Sequence, residues 1–446
     1  MTAAAGRRSG LPLTERSRFS DRMRFSEFLL DAVVDALAVV LKLAQPADTL
    51  LLGFFREHPD LGQQDRAMIA DTVYGVLRRK RLLSHLAGRE SPRALALAAW
   101  VVLFGANLKE LSGFVRRTDM ERLARAKEQA HEPQPFEIEC DFPDWLIERL
   151  RARYDDAALL EIAKGMQAGA PLDLRVNILR SSREEVIAQF AAEGHVAVPT
   201  PFSPTGVRLA RKPAINRHPL FVGGRIEVQD EGSQLLCHLV APRRGEMVVD
   251  FCAGAGGKTL ALGMMMRSSG RLYAFDVSDK RLARFKPRLA RSGLSNVHPQ
   301  RIADERDPRL GRLAGKIDRV LVDAPCTGLG TLRRNPDLKW RQTPKDVEEL
   351  SRRQAAILAA AARLVKRGGR LVYATCSLLD EENRCIVDAF LSAHGEFALK
   401  PAREVLAAER IALDTGEYLE LWPHRHGTDG FFAAVFERTL EGVTRE

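Results

Sequence analysis

Apolar residues recur at three- and four-residue spacing through the first quarter of the chain, a pattern typical of amphipathic helices. The pattern predicts a first helix carrying Phe28–Leu41, a second over Asp65–Leu83 and a third over Ala94–Phe104. We therefore expect residues 21–130 to form an all-α domain. The second helix ends in four basic residues, which fit a solvated helix end and a contact with an RNA backbone equally well.

The pattern changes twice in the next hundred residues. Residues 131–142 are polar and show no periodicity, so we expect a linker there. After it, short alternating runs and a capping box within Ser181–Glu185 predict a small α+β module over 143–235. Its strands are predicted at Leu172–Ile178, Gly206–Leu209 and Arg225–Val228, and its helix at Glu184–Ala192. Such a sheet is about as often purely structural as it is an RNA-binding face.

Strand and helix patterns alternate through residues 236–440, which predicts a doubly wound α/β domain with a mostly parallel sheet. The strands are expected at Glu246–Phe251, Arg271–Asp276, Val297–Ile302, Arg319–Val322, Arg370–Thr375 and Phe431–Phe436. Helices are expected between them at Lys258–Met266, Asp279–Ser292, Asp346–Val365 and Asp380–Ala393. Ligand sites of open sheets lie at the carboxyl ends of such strands.

Charge and cysteine content narrow the class of protein. The 446 residues carry a net charge of +10, which favours an acidic partner such as nucleic acid or an anionic membrane. The most apolar run, Ala94–Ala106, is too short to span a bilayer, so we expect no membrane partner. Six cysteines without metal-ligand spacing predict neither a zinc site nor a disulfide framework, which suits a reducing cytoplasm. Residues 1–20 lack the apolar core of a secretory signal and are expected to be a disordered basic tail.

A glycine-rich turn follows the first strand of the α/β domain, at residues 250–258. Gly254, Gly256 and Gly257 would let the backbone approach a ligand closely at a helix N-terminus. Asp276 ends the next strand, nineteen residues after Gly257, where a carboxylate can accept ribose hydroxyls. Asp304 follows the third strand and fits either a contact with an adenine amino group or a surface turn. These residues predict a nucleoside cofactor without identifying it.

Two further strands, which we expect to be adjacent in the sheet, each end in a cysteine, Cys326 and Cys376, next to this predicted crevice. A single strand-end cysteine is usually packing, but two beside one cofactor loop are harder to explain in that way. Thiolates are soft nucleophiles suited to covalent attack on electrophilic ring carbons. Residue chemistry alone does not decide which thiol would attack.

Three segments resemble the motifs of the NOL1/NOP2/Sun family of RNA cytosine-C5 methyltransferases: Asp323–Trp340, Ala374–Ser377 and Val228–Leu235. The resemblance covers about Pro143 to Glu437. The helical domain, with Asp71–Arg78, is similar to the NusB-like domain of the bacterial RsmB (Fmu) type, which methylates small-subunit rRNA. The resemblance thus implies an all-α NusB-like RNA-binding domain, a small α+β RNA-binding module and a Rossmann-like methyltransferase domain.

The same resemblance implies the cofactor and the roles of the site residues. The cofactor would be S-adenosyl-L-methionine, and the reaction would methylate C5 of a cytosine in small-subunit rRNA. The family pattern makes Cys376 the nucleophile that adds to C6 and gives Cys326 a role in product release. Asp323 would hydrogen-bond the cytosine edge and favour protonation at N3. The residues expected to bind the cofactor are Cys252, Ala253, Gly254, Ala255, Gly256, Gly257, Lys258, Asp276, Asp304 and Asp323. We expect a cytoplasmic monomer without a metal.

One departure from the family pattern and two alternatives stay open. The family usually has Ala-Pro-Gly-Gly-Lys in the first loop, whereas this chain has Ala255 at the proline position. Since proline fixes the backbone, its loss frees the loop, and we expect cofactor binding to survive but to weaken. The alternatives are the same chemistry on tRNA or another RNA, and a non-catalytic ribosome-assembly factor that retains the fold.

Overall fold

A computed structural model describes residues 25–440, so the predicted basic tail at residues 1–20 lies outside the described part of the chain. The described residues fall into two compact units. The first contains residues 25–168 together with Arg334–Thr343, and the second contains Gly169–Arg333 and residues 344–440.

The first unit is helical, as the periodicity predicted. Its helices are α1 (Glu27–Val40), α2 (Ala47–Glu57), α3 (Gln63–Arg78), α4 (Lys80–Ala87), α5 (Pro92–Ala98), α6 (Leu108–Leu111), α7 (Arg117–Gln129), α8 (Phe136–Cys140), α9 (Asp144–Arg151) and α10 (Asp156–Gln167). A π-helical turn, Ala99–Leu103, continues α5. The buried faces of α1 and α3 meet around Trp100, whose indole N–H donates to Thr72 at 3.0 Å.

The predicted helix over Asp65–Leu83 is wrong in one respect, because the structure divides it into α3 and α4. The break lies at Arg79, where φ is −124° and ψ is 36°. The buried carboxylate of Asp141 accepts the backbone N–H groups of Arg81 and Leu82, at 3.1 and 3.3 Å, at the start of α4. These N–H groups have no partner within their own helix, so Asp141 caps the start of α4 from a distant position in the sequence. The apolar periodicity continues through the break, which is why it predicted a single helix.

The linker predicted at residues 131–142 contains the helix α8, and the helices α9 and α10 pack with the helical unit. The amide of Gln167 in α10 donates to the carbonyl groups of Glu139 and Cys140, at 3.2 and 3.0 Å. The apolar face of α10 is buried as well. The first compact unit therefore extends to Ala168.

The short segment Arg334–Thr343 includes a helical turn, α17 (Leu338–Arg341), that packs within the first unit. The ammonium group of Lys339 donates to the carbonyls of Arg78 and Asp141 at 2.9 and 2.5 Å. Trp340 donates its indole N–H to the carbonyl of Leu77 at 2.7 Å. Burial lowers the pKa of Lys339 to about 8. This basic stretch of sequence is thus partly structural.

The second unit begins with the α+β module, whose sheet has the order β2-β3-β1-β4 and is antiparallel throughout. Its elements are β1 (Leu172–Val176), α11 (Arg183–Ala192), β2 (Ala197–Pro199), β3 (Gly206–Leu209), α12 (Pro219–Val222) and β4 (Ile226–Val228), with a 3₁₀ turn at Ile215–Arg217. The predicted capping box is confirmed, since Ser182 accepts the N–H of Glu185 and Glu185 accepts that of Ser182.

The larger sheet of this unit has eight strands in the order β10-β12-β9-β8-β5-β6-β7, with β11 paired to β12. The strands are β5 (Met247–Asp250), β6 (Arg271–Asp276), β7 (Val297–Arg301), β8 (Ile317–Asp323), β9 (Val365–Thr375), β10 (Phe397–Lys400), β11 (Leu419–Leu421) and β12 (Phe431–Arg438). The helices are α13 (Glu231–Val240), α14 (Gly257–Met265), α15 (Asp279–Ser292), α16 (Pro308–Gly311), α18 (Pro344–Ala362), α19 (Arg384–Ala393), α20 (Ala402–Ala408) and α21 (Pro423–His426). Strands β5 to β9 pair in parallel, and β10, β11 and β12 are antiparallel, so the sheet is mixed.

The strand order places a crevice at the centre of this sheet. From β5 the chain first moves outward through β6 and β7 and then returns to β8 on the other side of β5. Apolar residues cover both faces of the sheet, because consecutive residues such as Val248 and Val249 point to opposite faces and pack into different hydrophobic clusters. A reversal of strand order leaves open space above the carboxyl ends of the two central strands. The loops after β5, β6, β8 and β9 therefore converge, as the predicted site requires.

Candidate active site

The loop after β5 folds back on β6 through its backbone. Ala253 donates its N–H to the carbonyl of Phe275 at 2.8 Å, and Gly254 donates its N–H to Asp276 Oδ2 at 2.8 Å. Gly254 and Gly256 have φ angles of 57° and 80°, in the left-handed region that favours glycine. Helix α14 starts at Gly257, so its first free N–H groups face the same loop.

Gly256 is required by a close approach as well as by its φ angle. A Cβ at this position would lie 1.9 Å from the ring of Phe285 in α15. Gly245, in the turn before β5, has a φ of 82°, but a Cβ there would meet no atom within 4 Å. Both glycines therefore have a left-handed backbone conformation, but only at Gly256 would a side chain collide with a neighbouring residue.

We expect Gly256→Ala to lower the free energy of unfolding by about 2–5 kcal/mol, since it combines left-handed strain with overpacking. The matched control Gly245→Ala should cost only about 1 kcal/mol for the backbone conformation. Urea unfolding followed by circular dichroism measures both. Equal losses in the two variants would show that the contact with Phe285 does not constrain the loop.

Two acidic residues expected at the cofactor differ in their surroundings. Asp276 is buried, and its carboxylate accepts the N–H groups of Gly254 and Ser278, so its orientation is fixed from two sides. Asp304 is exposed and accepts the N–H of Arg306 at 2.7 Å, which caps a surface turn. The structure thus brings Asp276 to the loop after β5 and gives Asp304 a local turn role.

Asp250, the last residue of β5, is a buried carboxylate that the sequence analysis did not propose as a site residue. Its Oδ2 accepts the hydroxyl of Thr259 at 2.6 Å and so ties the strand to α14. Burial raises the pKa of Asp250 to about 7. The sequence did contain a signal for Asp250, since this residue begins the glycine-rich motif at residues 250–258.

Arg175 is a second residue that the sequence analysis missed. It lies in β1, and its guanidinium group donates to the carbonyl of Gly257 at 2.8 Å and also bonds Gln229. Burial lowers the pKa of Arg175 to about 10. The sequence analysis assigned Arg175 no role, whereas the structure shows that its side chain is almost fully covered and supports the loop after β5.

Lys258 and Asp323 form an ion pair at the centre of the crevice. Lys258 Nζ donates to Asp323 Oδ2 at 2.6 Å, and both side chains are mostly covered. Burial opposes the charged form of Lys258, but the Asp323 carboxylate outweighs it and raises the pKa of the lysine above its ordinary value. The pair connects the loop after β5 with the end of β8, and it carries its charge into a partly desolvated space.

The two strand-end cysteines are brought together, because β8 and β9 are adjacent and parallel, with Asp323 paired to Ala374. The Sγ atoms of Cys326 and Cys376 lie 3.4 Å apart, and the backbone N–H of Cys376 points at the sulfur of Cys326. The contact with Cys376, together with burial, raises the pKa of Cys326 well above its ordinary value. The predicted adjacency of these strands is confirmed.

Cys252, the third thiol near the crevice, is partly buried, and burial raises its pKa. Among the described residues 25–440 there is no group of three or more His, Cys, Asp or Glu side chains that could hold a metal ion. None of the helices in this range is long and apolar enough to cross a membrane.

Comparison with known proteins agrees with this arrangement. Residues 237–437 match the family model described as 16S rRNA methyltransferase RsmB/F, and residues 142–216 match that of an RsmF/B-like, ferredoxin-like domain. The chain is 34% identical over 418 residues to a probable ribosomal RNA small subunit methyltransferase B of Synechocystis, which covers 86% of this chain and 93% of the relative.

Two solved structures are similar in fold. The crystal structure of PH0851 is 28% identical, with a TM-score of 0.75, and the match covers 94% of this chain and all of that one. NSun6 from Pyrococcus horikoshii with SFG is 22% identical, with a TM-score of 0.59, over 68% of this chain and 99% of that one. The second likeness shows the fold alone, which is that of a Rossmann-like methyltransferase.

Proposed function

Since this chain belongs to the family of the 16S rRNA methyltransferases RsmB and RsmF, we propose that it methylates C5 of a cytosine in small-subunit rRNA through a covalent adduct with Cys376. It is an rRNA methyltransferase that uses S-adenosyl-L-methionine as its methyl donor. The cytosine specificity, the adduct and the residue roles are the proposed part.

The observation that carries the proposal is the pair of thiols 3.4 Å apart beside the Lys258–Asp323 ion pair. C5 of cytosine is a poor nucleophile and needs activation by addition of a nucleophile at C6. A thiolate is suited to that addition because it is a soft nucleophile. A second thiol in contact with the first is expected if attack and release are separate tasks.

The residues that fit the cofactor are those of the loop after β5 and Asp276. The backbone at Gly254 faces open space, since a Cβ there would meet no atom within 4 Å. A ligand can therefore approach it closely. The buried carboxylate of Asp276 is fixed by two N–H groups and retains lone pairs for ribose hydroxyls. Ala255, at the usual proline position, has its carbonyl held by Arg288 at 2.7 Å, which restores part of the lost rigidity. Bound there, the cofactor supplies an electrophilic methyl group.

In the proposed steps, each thiol has the role that the family resemblance implies. The Cys376 thiolate forms a bond to C6, while Asp323 hydrogen-bonds the cytosine edge and favours protonation at N3. The electron pair displaced from the C5–C6 double bond makes C5 nucleophilic, and C5 would then bond to the methyl group. The bond between that methyl group and the sulfur of the bound cofactor would break at the same time, with its electron pair staying on the sulfur. A base then removes the C5 proton. The electrons of that C–H bond rebuild the double bond, and the C6–sulfur bond breaks with its pair returning to Cys376. Cys326, in contact with this sulfur, takes part in the release.

The other parts of the chain fit an RNA substrate. We propose that the helical unit acts as a NusB-like RNA-binding domain and that the α+β module guides RNA to the crevice. The net charge of +10 supports an acidic polymer as partner. Asp304 Oδ1 accepts the N–H of Arg306, so the other carboxylate oxygen, Oδ2, would accept the adenine amino group.

We expect the purified protein to release one tritium from C5-labelled cytidine for each methyl group that it transfers to small-subunit rRNA or small-subunit particles. Loss of the C5 proton is a necessary step of the proposed chemistry, whereas methylation at other positions would leave that label in place. The measurement is scintillation counting of released tritium against incorporated labelled methyl groups. RNA labelled at C6 is the matched control and should retain its label.

The same assay separates the alternatives. Methyl transfer to purified tRNA but not to small-subunit rRNA would show that the substrate is tRNA. If no methyl is transferred and calorimetry detects no binding of S-adenosyl-L-methionine, the protein is better described as an assembly factor that retains the fold.

A further inference from the structure

Glu382 is a fully buried carboxylate to which the proposed chemistry assigns no role. It lies in the short 3₁₀ turn Asp380–Glu382, six residues after Cys376, and its exposed fraction is 0%. Taking an ionised carboxylate out of water is costly unless strong hydrogen bonds replace the lost hydration. The groups that donate hydrogen bonds to Glu382 therefore indicate its role.

Both carboxylate oxygens accept hydrogen bonds from the loops that carry the two catalytic thiols. Oε1 accepts the backbone N–H of Thr327 at 2.9 Å, and Oε2 accepts the hydroxyl of Thr327 at 2.5 Å. Oε2 also accepts the hydroxyl of Ser377. Thr327 follows Cys326 directly, and Ser377 follows Cys376 directly. One side chain thus connects the residues next to each thiol.

A third element fixes the carboxylate itself. Gln354 of α18 donates its side-chain N–H groups to Glu382 Oε1 and to the carbonyl of Pro325, both at 2.9 Å. The hydroxyl of Tyr373, in β9, donates to the backbone carbonyl of Glu382 at 2.6 Å. All of these side chains are buried, so the network is shielded from water, and charge-assisted hydrogen bonds are strong in such surroundings.

We propose that Glu382 is a positioning residue that sets the distance between the thiols of Cys326 and Cys376. The inference rests on the proposed function for its biological meaning, but the geometric part can be tested without RNA or cofactor. Covalent catalysis depends on placement to within about 1 Å. A carboxylate that holds both loops is a direct way to maintain a contact of 3.4 Å between sulfurs on different strands.

The test measures how fast the two thiols are oxidised to a disulfide, because this rate depends on the distance between the two sulfurs. Diamide takes up two electrons and two protons from Cys326 and Cys376, forming a disulfide and a hydrazine, and mass spectrometry after alkylation counts the product. We expect rapid closure in the wild-type protein, and closure in Glu382→Ala at least about tenfold slower, because the loops lose three hydrogen bonds to one acceptor group. The matched control, Asp388→Asn, removes an exposed carboxylate in the following helix and should behave as wild type.

Conservative and double variants keep the test decisive. Glu382→Gln retains the shape, and the hydroxyls of Thr327 and Ser377 can turn to accept its amide, so disulfide formation should stay within about threefold of wild type. If Glu382→Ala does not fold, Thr327→Val combined with Ser377→Ala removes both hydroxyl donors and should slow closure by about threefold or more. A wild-type rate in a folded Glu382→Ala or in the double variant overturns the proposal.

A catalytic readout separates positioning from general stability. In methyl transfer, Glu382→Ala is expected to lower kcat by about tenfold or more while changing KM for RNA by less than about threefold, and Glu382→Gln should recover most of the loss. If the wild-type protein transfers no methyl group, the proposed function fails, while the disulfide measurement still decides the role of Glu382.

Discussion

Cys376→Ala is expected to lower methyl transfer by more than about 10³-fold, whereas Cys326→Ala should accumulate a covalent RNA–protein adduct. Without Cys376 no sulfur can add to C6, so C5 is never activated. Without Cys326 the addition and the methylation still proceed, but the release step stalls and the C6–sulfur bond persists. The contact of 3.4 Å between the two sulfurs makes a division of labour at one cytosine physically reasonable.

A denaturing gel of labelled RNA incubated with each variant and S-adenosyl-L-methionine measures the adduct. Cys385→Ala is the matched control, because Cys385 is an exposed free cysteine in α19, outside the crevice. Accumulation of the adduct only in Cys376→Ala would reverse the two roles. If neither variant forms an adduct on an RNA that the wild-type protein methylates, covalent catalysis is excluded.

Asp323→Asn is the second change with a large expected effect, a fall in kcat of about 10²–10⁴-fold. The amide keeps the size of the side chain and can still accept a hydrogen bond from cytosine. It carries no charge to favour protonation at N3, and it no longer compensates the ammonium group of Lys258 at 2.6 Å. Both losses act in a partly covered crevice, where charges are screened less than in water.

The pH dependence of this pair follows from the sign of the lysine shift. The pKa of Lys258 in the folded protein is raised, so the stabilisation from its charge is fully present below the ordinary lysine pKa and is lost only as the pH rises through the higher folded value. From about pH 6 to about pH 9 Lys258 of the wild-type protein should therefore stay charged. In Asp323→Asn the burial of Lys258 is no longer opposed, so its pKa should fall.

Single-turnover rates against pH, with calorimetry of S-adenosyl-L-methionine binding, measure how much of the loss is chemistry and how much is cofactor affinity. Asp414→Asn serves as the control, since Asp414 is an exposed aspartate of the same unit. Asp323→Asn with a kcat within about threefold of wild type would exclude a proton-directing role for the carboxylate.

Much of the α/β domain could be predicted from the sequence. The bounds Arg271–Asp276 and Asp279–Ser292 agree residue for residue with β6 and α15. Side-chain periodicity and capping residues act within one element, so the sequence carries them locally. Strands β10 and β11 were not predicted, because they are short strands without a long alternating pattern, and their pairing with β12 defines them.

The residues that support the site were harder to find. Gln354 carried a weak signal, since it lies three and four residues before Ile357 and Leu358 on the buried face of a predicted helix. Glu382 carried none, because it stands in an acidic stretch at the start of the helix predicted over Asp380–Ala393. Its burial results from packing of α18, β9 and the loop of Thr327 around it.

Local patterns along the chain were enough to establish the order of strands and helices in the α/β domain, the glycine-rich loop, and the placement of Cys326 and Cys376 at strand ends. Long-range packing was needed to show that the two sulfurs touch, that Asp141 divides α3 from α4, and that Arg175 and Glu382 are buried supports of the loops. The physical reason is the range of the interactions. Helix and strand patterns arise between neighbours in the chain, whereas these contacts join residues about fifty or more positions apart or depend on desolvation by other elements.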